Sequence, residues 1–144
     1  MSNRFILWVY WSAALVNTVG VLILSKGLSN QTLMKTDPLL FGPFGLCMIV
    51  VWGLCYYACA ESALISPKIG LVFTLEKLMY VTMWIGWMRG DYSLKDVYQD
   101  DLFAGVFYSI YGVIDLIYAC LFLYTAYRAH QIQQSNLGGS NHSI

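Results

Sequence analysis

Four apolar runs, each close to the length of a bilayer-crossing helix, dominate the chain and leave it few ways to fold. The hydrocarbon core of a bilayer takes ~20 apolar residues per helix. The first run, residues 5–24, is uncharged and lies between Arg4 and Lys26. The second, residues 39–60, is also uncharged, and Pro38 and Pro43 suit its first turn. The third, residues 69–88, carries Glu76 and Lys77 and is the weakest by hydropathy. The fourth, residues 102–126, carries Asp115 and is followed by Arg128 and His130.

Composition points the same way. Charged residues make up 11% of the chain and hydrophobic residues 58%, whereas a soluble domain carries ~25% charged residues. Eight basic residues balance eight acidic ones, so no basic surplus exists to neutralise phosphates and no nucleic-acid partner is expected. High hydrophobicity without net charge also excludes a disordered chain.

The expected fold is therefore all-α, an integral membrane up-down bundle of four transmembrane helices within residues 1–130. Short links favour antiparallel neighbours, and here they are residues 25–38, 61–68 and 89–101. The polar, Gly- and Ser-rich segment 131–144 reads as a disordered tail. The first run is long for a signal-peptide core and no A-x-A site follows it, so it is expected to stay as an anchor. The 89–101 link holds Asp91, Asp96, Asp100 and Asp101. An acidic loop translocates readily and Arg128 borders a helix end, so both termini are expected in the cytoplasm.

Ionisable groups at membrane depth are costly and mark functional positions by default. With ~1.5 Å of rise per residue, Asn17 lies roughly 18 Å from one face of the bundle. On the same measure Glu76 and Lys77 lie about 10–12 Å in, and Asp115 about 16 Å in. All four thus share one thin slab. Asn17 shares a stripe with the small residues Ala13 and Gly20, which permits close helix approach. Lys77 is turned ~100° from Glu76, so the two face different ways. The spacing sends Lys77 toward Asp115, and Glu76 toward Asn17 or a tyrosine. Two readings stay open: an ion pair that fixes helix register, or a ligand or proton site. One lysine neutralises only one of two carboxylates, so the other must be protonated, hydrated or bound to something.

The tyrosines of the runs, Tyr56 and Tyr118 among them, either pack the bundle or line an aromatic pocket in this slab, for which Tyr57, Tyr80, Tyr108 and Tyr111 are the candidates. Trp8 and Trp11, and at the other end of the bundle Trp84 and Trp87, read as interfacial anchors. Cys47, Cys55, Cys59 and Cys120 sit inside the apolar runs and read as small packing residues. The two histidines, His130 and His142, lie outside them, so no metal centre, haem or other cofactor is expected. Hydrolase, phosphate-loop and zinc motifs are absent from the sequence, and no catalytic residue is assigned.

The second run carries Trp52-Gly53-Leu54 and Tyr56-Tyr57, the third Leu75 and Lys77, and the fourth Gly112-Val113-Ile114-Asp115-Leu116 with Leu121-Phe122. Over residues 40–128 this ordering resembles small bacterial four-helix membrane proteins of the DoxX-like type. That resemblance implies a bundle without an established catalytic mechanism, some of whose wider group associate with respiratory or redox complexes. The leading expectation is a non-catalytic membrane protein that binds a small hydrophobic ligand or serves as an accessory subunit of an inner-membrane complex. Its partners would be membrane lipids and a second copy or a membrane complex. The alternatives are a proton-coupled small transporter or channel acting as an oligomer, and a lipid-modifying enzyme.

Overall fold

Three helices of the computed structural model are long and apolar enough to cross a membrane: Asn3–Leu24, Pro67–Met88 and Leu102–Ser135. Residues 3–90 and 93–139 are described, the side chains of 136–139 excepted, and every regular element among them is helical. The first span consists of α1 (Asn3–Leu15), a π-helical turn (Val16–Gly20) and α2 (Val21–Leu24). Then come α3 (Gln31–Thr36), α4 (Pro38–Phe41) and α5 (Pro43–Cys59). A 3₁₀ turn (Ser62–Leu64) leads to α6 (Pro67–Met88), α7 (Leu94–Asp100) and α8 (Leu102–Gly139).

The expected second span is shorter than the sequence suggests. A residue before proline is driven out of the helical region. Gly42 accordingly takes φ −61° and ψ 172°, which cuts α4 from α5. Pro38 and Pro43 each open a helix, where a missing N–H costs nothing. What remains in α5 is 17 apolar residues, about 25 Å of helix and the lower limit for a span.

Two of the expected polar links are also structured. Asn30 caps α3 by accepting from Leu33 N–H at 3.1 Å. Asp101 caps α8 by accepting from Ala104 N–H at 3.0 Å. The same Asp101 accepts from the Asn30 amide at 3.0 Å and pairs with Lys26. These bonds tie the exit of the first span to the entry of the last. Desolvation of Asp101 opposes its charge. The Lys26 ammonium, the Ala104 N–H and the Asn30 amide outweigh it and hold the carboxyl down at about 2.

The last helix carries past residue 130, where an unstructured tail was expected. Gln133 donates to the Ile65 carbonyl at 2.7 Å and fastens the extension to the 60–66 turn. Residues 140–144 of that expected tail lie outside the described residues.

Outward faces are apolar. Leu75 and Met79 of α6, Leu116 and Ile117 of α8, and Ile23 of α2 all point away from the bundle. Only 33% to 39% of an 18-residue apolar stretch in each of the three long helices is buried inside the bundle. Trp8 and Trp11 face outward, whereas Trp84 and Trp87, expected as anchors at the other end, turn inward. Trp84 lies against Gly112 and donates to the Tyr108 carbonyl at 2.8 Å. Trp87 stacks on Tyr108 with 4.3 Å between ring centroids. The cysteines are free, and Cys47 and Cys120 face outward rather than pack inside.

The interior falls into two apolar clusters. One gathers Phe41, Leu46, Ile49, Phe107 and Tyr108 toward the α3, α4 and α7 end. The other gathers Tyr10, Ala13, Tyr56, Phe73 and Phe122 toward the opposite end. Asn17, Glu76, Lys77 and Asp115, none more than 8% exposed, occupy the layer between them.

Candidate functional site

Lys77 is the centre of this layer. Its side chain is 2% exposed, and burying an ammonium costs about several kcal/mol unless it is well paired. It donates to Asp115 Oδ1 at 2.6 Å and to Asn17 Oδ1 at 3.1 Å. The rings of Tyr56 and Tyr80 lie 5.3 and 5.9 Å from the ammonium and add cation–π attraction. One ion pair therefore joins α6 to α8, and one hydrogen bond joins α6 to the first span.

Local backbone geometry presents Asn17 to that lysine. It lies in the π-helical turn, a distortion that recurs at functional sites. Thr18 donates to the Ala14 carbonyl at 2.7 Å within this stretch. Gly53 of α5 presses against the turn. A Cβ there would stand 2.7 Å from Thr18 Cγ2 and 3.1 Å from Asn17 Cβ. Ala13 is fully buried as the close approach requires, but Gly20 is not part of it: a Cβ there would meet nothing within 4 Å, and the tight position is Gly53 of the neighbouring helix.

Glu76 faces another way. The Tyr56 hydroxyl donates to its Oε2 at 2.5 Å. Of the two partners foreseen, it is the tyrosine that meets Glu76, while Asn17 goes to Lys77. Tyr56 is fully buried, whereas its neighbour Tyr57 was the pocket candidate. Nothing in the sequence singles Tyr56 out: it and Tyr57 lie ~100° apart on a helix that is apolar all round, and only the packing shows which of them turns inward.

A cavity of about 210 Å³ opens beside the Lys77 network, between the first span and α8. Asn17, Lys77 and Asp115 form its polar floor. Phe41, Phe107 and Tyr111 form an aromatic wall. Its lining includes Ile110, 38% exposed, so the cavity reaches the outer apolar surface of the bundle. The Tyr111 hydroxyl is buried and meets no hydrogen-bond partner. Asp115 keeps 11% of its side-chain surface open.

Of the four tyrosines expected to line a pocket, Tyr80 and Tyr111 do so. Tyr57 does not: it is 67% exposed on the outer face of α5. Nor does Tyr108, which is fully buried under Trp87 and donates to the Leu33 carbonyl at 3.4 Å. Tyr108 holds the α3 cap onto the bundle instead.

Chemically, the floor offers one ammonium, one amide and one carboxylate, all largely buried, beneath an apolar chamber. That is the composition of a small-molecule pocket: apolar walls with a few convergent polar groups. The resemblance to the DoxX-like type gains no support from comparison with known proteins. Compared with models of protein families, with curated protein sequences and with solved structures, the chain matches none.

Proposed function

We propose that this chain is a four-span membrane protein that takes a small neutral amphiphile from the bilayer into the cavity beside Lys77. Crossing of the bilayer by α5 is part of this reading, supported by its 17 uninterrupted apolar residues. An even number of spans puts both termini on one side, and the acidic 89–101 loop favours the cytoplasmic side for them. Accessory association with an inner-membrane complex stands as the other form of the same non-catalytic role.

The observation that carries the binding reading is the polar floor under an apolar cavity that reaches the outer surface of the bundle. Its volume of about 210 Å³ exceeds the ~150 Å³ of an engineered cavity that holds benzene. The fitting ligand is a single ring or short acyl chain with one uncharged polar head. The head would meet the Lys77 ammonium and the Tyr111 hydroxyl, while the body lies on Phe41 and Phe107.

Gly20 provides the test. It lines the cavity, and a Cβ added there meets nothing within 4 Å. Gly20→Phe should therefore fill the chamber without disturbing the helices. With 4-propylphenol as probe and the protein in lipid nanodiscs, saturation-transfer NMR should detect binding to the wild type. The Gly20→Phe variant should bind at least roughly tenfold more weakly. No binding by the wild type, or equal binding by both, would overturn the reading.

A further inference from the structure

Successive residues on α6 serve two different cavities. Lys77 lines the first; Glu76 does not. Glu76 instead lines a second cavity, of about 340 Å³, between α5 and α6. Trp52, Leu75, Met79, Tyr80 and Met83 are among its walls.

The carboxylate is incompletely matched. Glu76 is 6% exposed, and its Oε2 is taken by the Tyr56 hydroxyl. Its Oε1 is buried and meets no hydrogen-bond partner. Among the described residues the ion pairs are Lys26–Asp101 and Lys77–Asp115, so Glu76 has no cation within pairing distance. Lys77 is committed to Asp115 at 2.6 Å. An unmatched carboxylate oxygen in an apolar layer is expensive, and its walls identify what would match it. Trp52 and Tyr80 present aromatic surface, which attracts cations. Met79 and Met83 are adaptable and accommodate ligands of varied shape. Leu75 and Met79 are 63% and 64% exposed, so the mouth opens to the lipid side of the bundle.

We propose that this second cavity binds a lipophilic monocation, a small apolar body bearing one ammonium group that pairs with Glu76. The ammonium donates to the free Oε1 and supplies the direct pairing partner that Lys77, held by Asp115, does not. The apolar body lies between Trp52 and Tyr80 and enters from the bilayer past Leu75 and Met79. This site shares the Tyr80 wall with the Lys77 cavity but presents Glu76 in place of Lys77, and it takes a cationic head group where that cavity takes an uncharged one. It does not depend on that cavity being occupied.

The probe is benzylammonium, with ethylbenzene as its uncharged counterpart of equal size, offered to the full chain in lipid nanodiscs. Benzylammonium should bind the wild type and ethylbenzene should not compete with it. Glu76→Gln keeps the side-chain length and an acceptor for Tyr56, and should weaken benzylammonium binding at least roughly tenfold. Leu75→Trp, an outward-facing change at the mouth, should weaken it with Glu76 intact, and it carries the test if Glu76→Gln does not fold. Gly20→Phe, which fills the other cavity, should leave benzylammonium affinity unchanged. Unchanged affinity in Glu76→Gln or in Leu75→Trp would overturn the proposal. So would a loss of binding in Gly20→Phe, effective competition by ethylbenzene, or no binding by the wild type.

Discussion

Replacing Lys77 with Met should lower the stability of the bundle by about 3–5 kcal/mol, because Asp115 is then buried without its counter-ion. Asn17 loses its donor in the same step. The measurement is reversible unfolding in mixed micelles with increasing denaturing detergent. The double variant Lys77→Met/Asp115→Leu should recover most of the loss, since removing both charges removes the uncompensated one. A residual deficit of about 1 kcal/mol is expected from the Asn17 carbonyl. The two single changes and the double change form a cycle whose non-additivity is the coupling itself. Additive effects would mean that Lys77 and Asp115 are hydrated independently and that the 2.6 Å contact does not organise the interior.

Gly70→Val is the second large effect. The α6–α8 contact is the most extensive in the molecule, and Gly70 is where their backbones come close. A Cβ at Gly70 would stand 2.7 Å from the Phe122 carbonyl oxygen, 2.9 Å from Ala126 Cβ and 3.0 Å from Ala126 N. Two of these atoms are backbone and the third is fixed to it, so none can rotate aside. The helices must part, which costs about 3 kcal/mol or more. Thr74, one turn along, donates to the Gly70 carbonyl at 2.8 Å and lies 3.4 Å from the Ala119 carbonyl, so its interhelical contact weakens as well. Gly86→Ala is the control on the same helix: a Cβ there meets nothing within 4 Å. It should stabilise by about 0.5–1 kcal/mol through helix propensity alone. Equal effects at the two glycines would contradict the close approach at Gly70.

The long spans were legible because each is an apolar run bounded by polar residues, and no tertiary information was needed to see them. The break in the second was legible only in part. Pro38 and Pro43 marked helix starts, but the apolar residues between them hid the fact that each starts its own helix. The links at 25–38 and 89–101 looked like plain loops because their polarity was read before their caps. Asn30 and Asp101 each precede a helix, and the side chain of each accepts the N–H three residues on. The extension of α8 was missed for a related reason. Gln131, Gln133 and Gln134 are polar, but glutamine is a sound helix former.

For the site, depth alone brought Asn17, Lys77 and Asp115 together, since rise per residue is nearly constant. Rotation about each helix axis was harder. On α5 the apolar and aromatic residues run all round the helix, so nothing in the sequence chose Tyr56 over Tyr57 as the inward one. Tyr108 misled because a hydroxyl near the slab suggested a pocket. Its ring is instead spent on Trp87 and its hydroxyl on the α3 cap. The π-helical turn that carries Asn17 has no sequence signature that we can identify.

A four-span topology requires above all that α5 cross the bilayer. Ser29 and Ser62 lie near the two ends of the segment that contains it, and both are exposed. In a background without the four native cysteines, Ser29→Cys and Ser62→Cys can be labelled with a membrane-impermeant thiol reagent on sealed right-side-out and inverted vesicles. Four spans require that the two positions label from opposite sides. Labelling of both from the same side would show that α5 does not cross, and would contradict the four-span account.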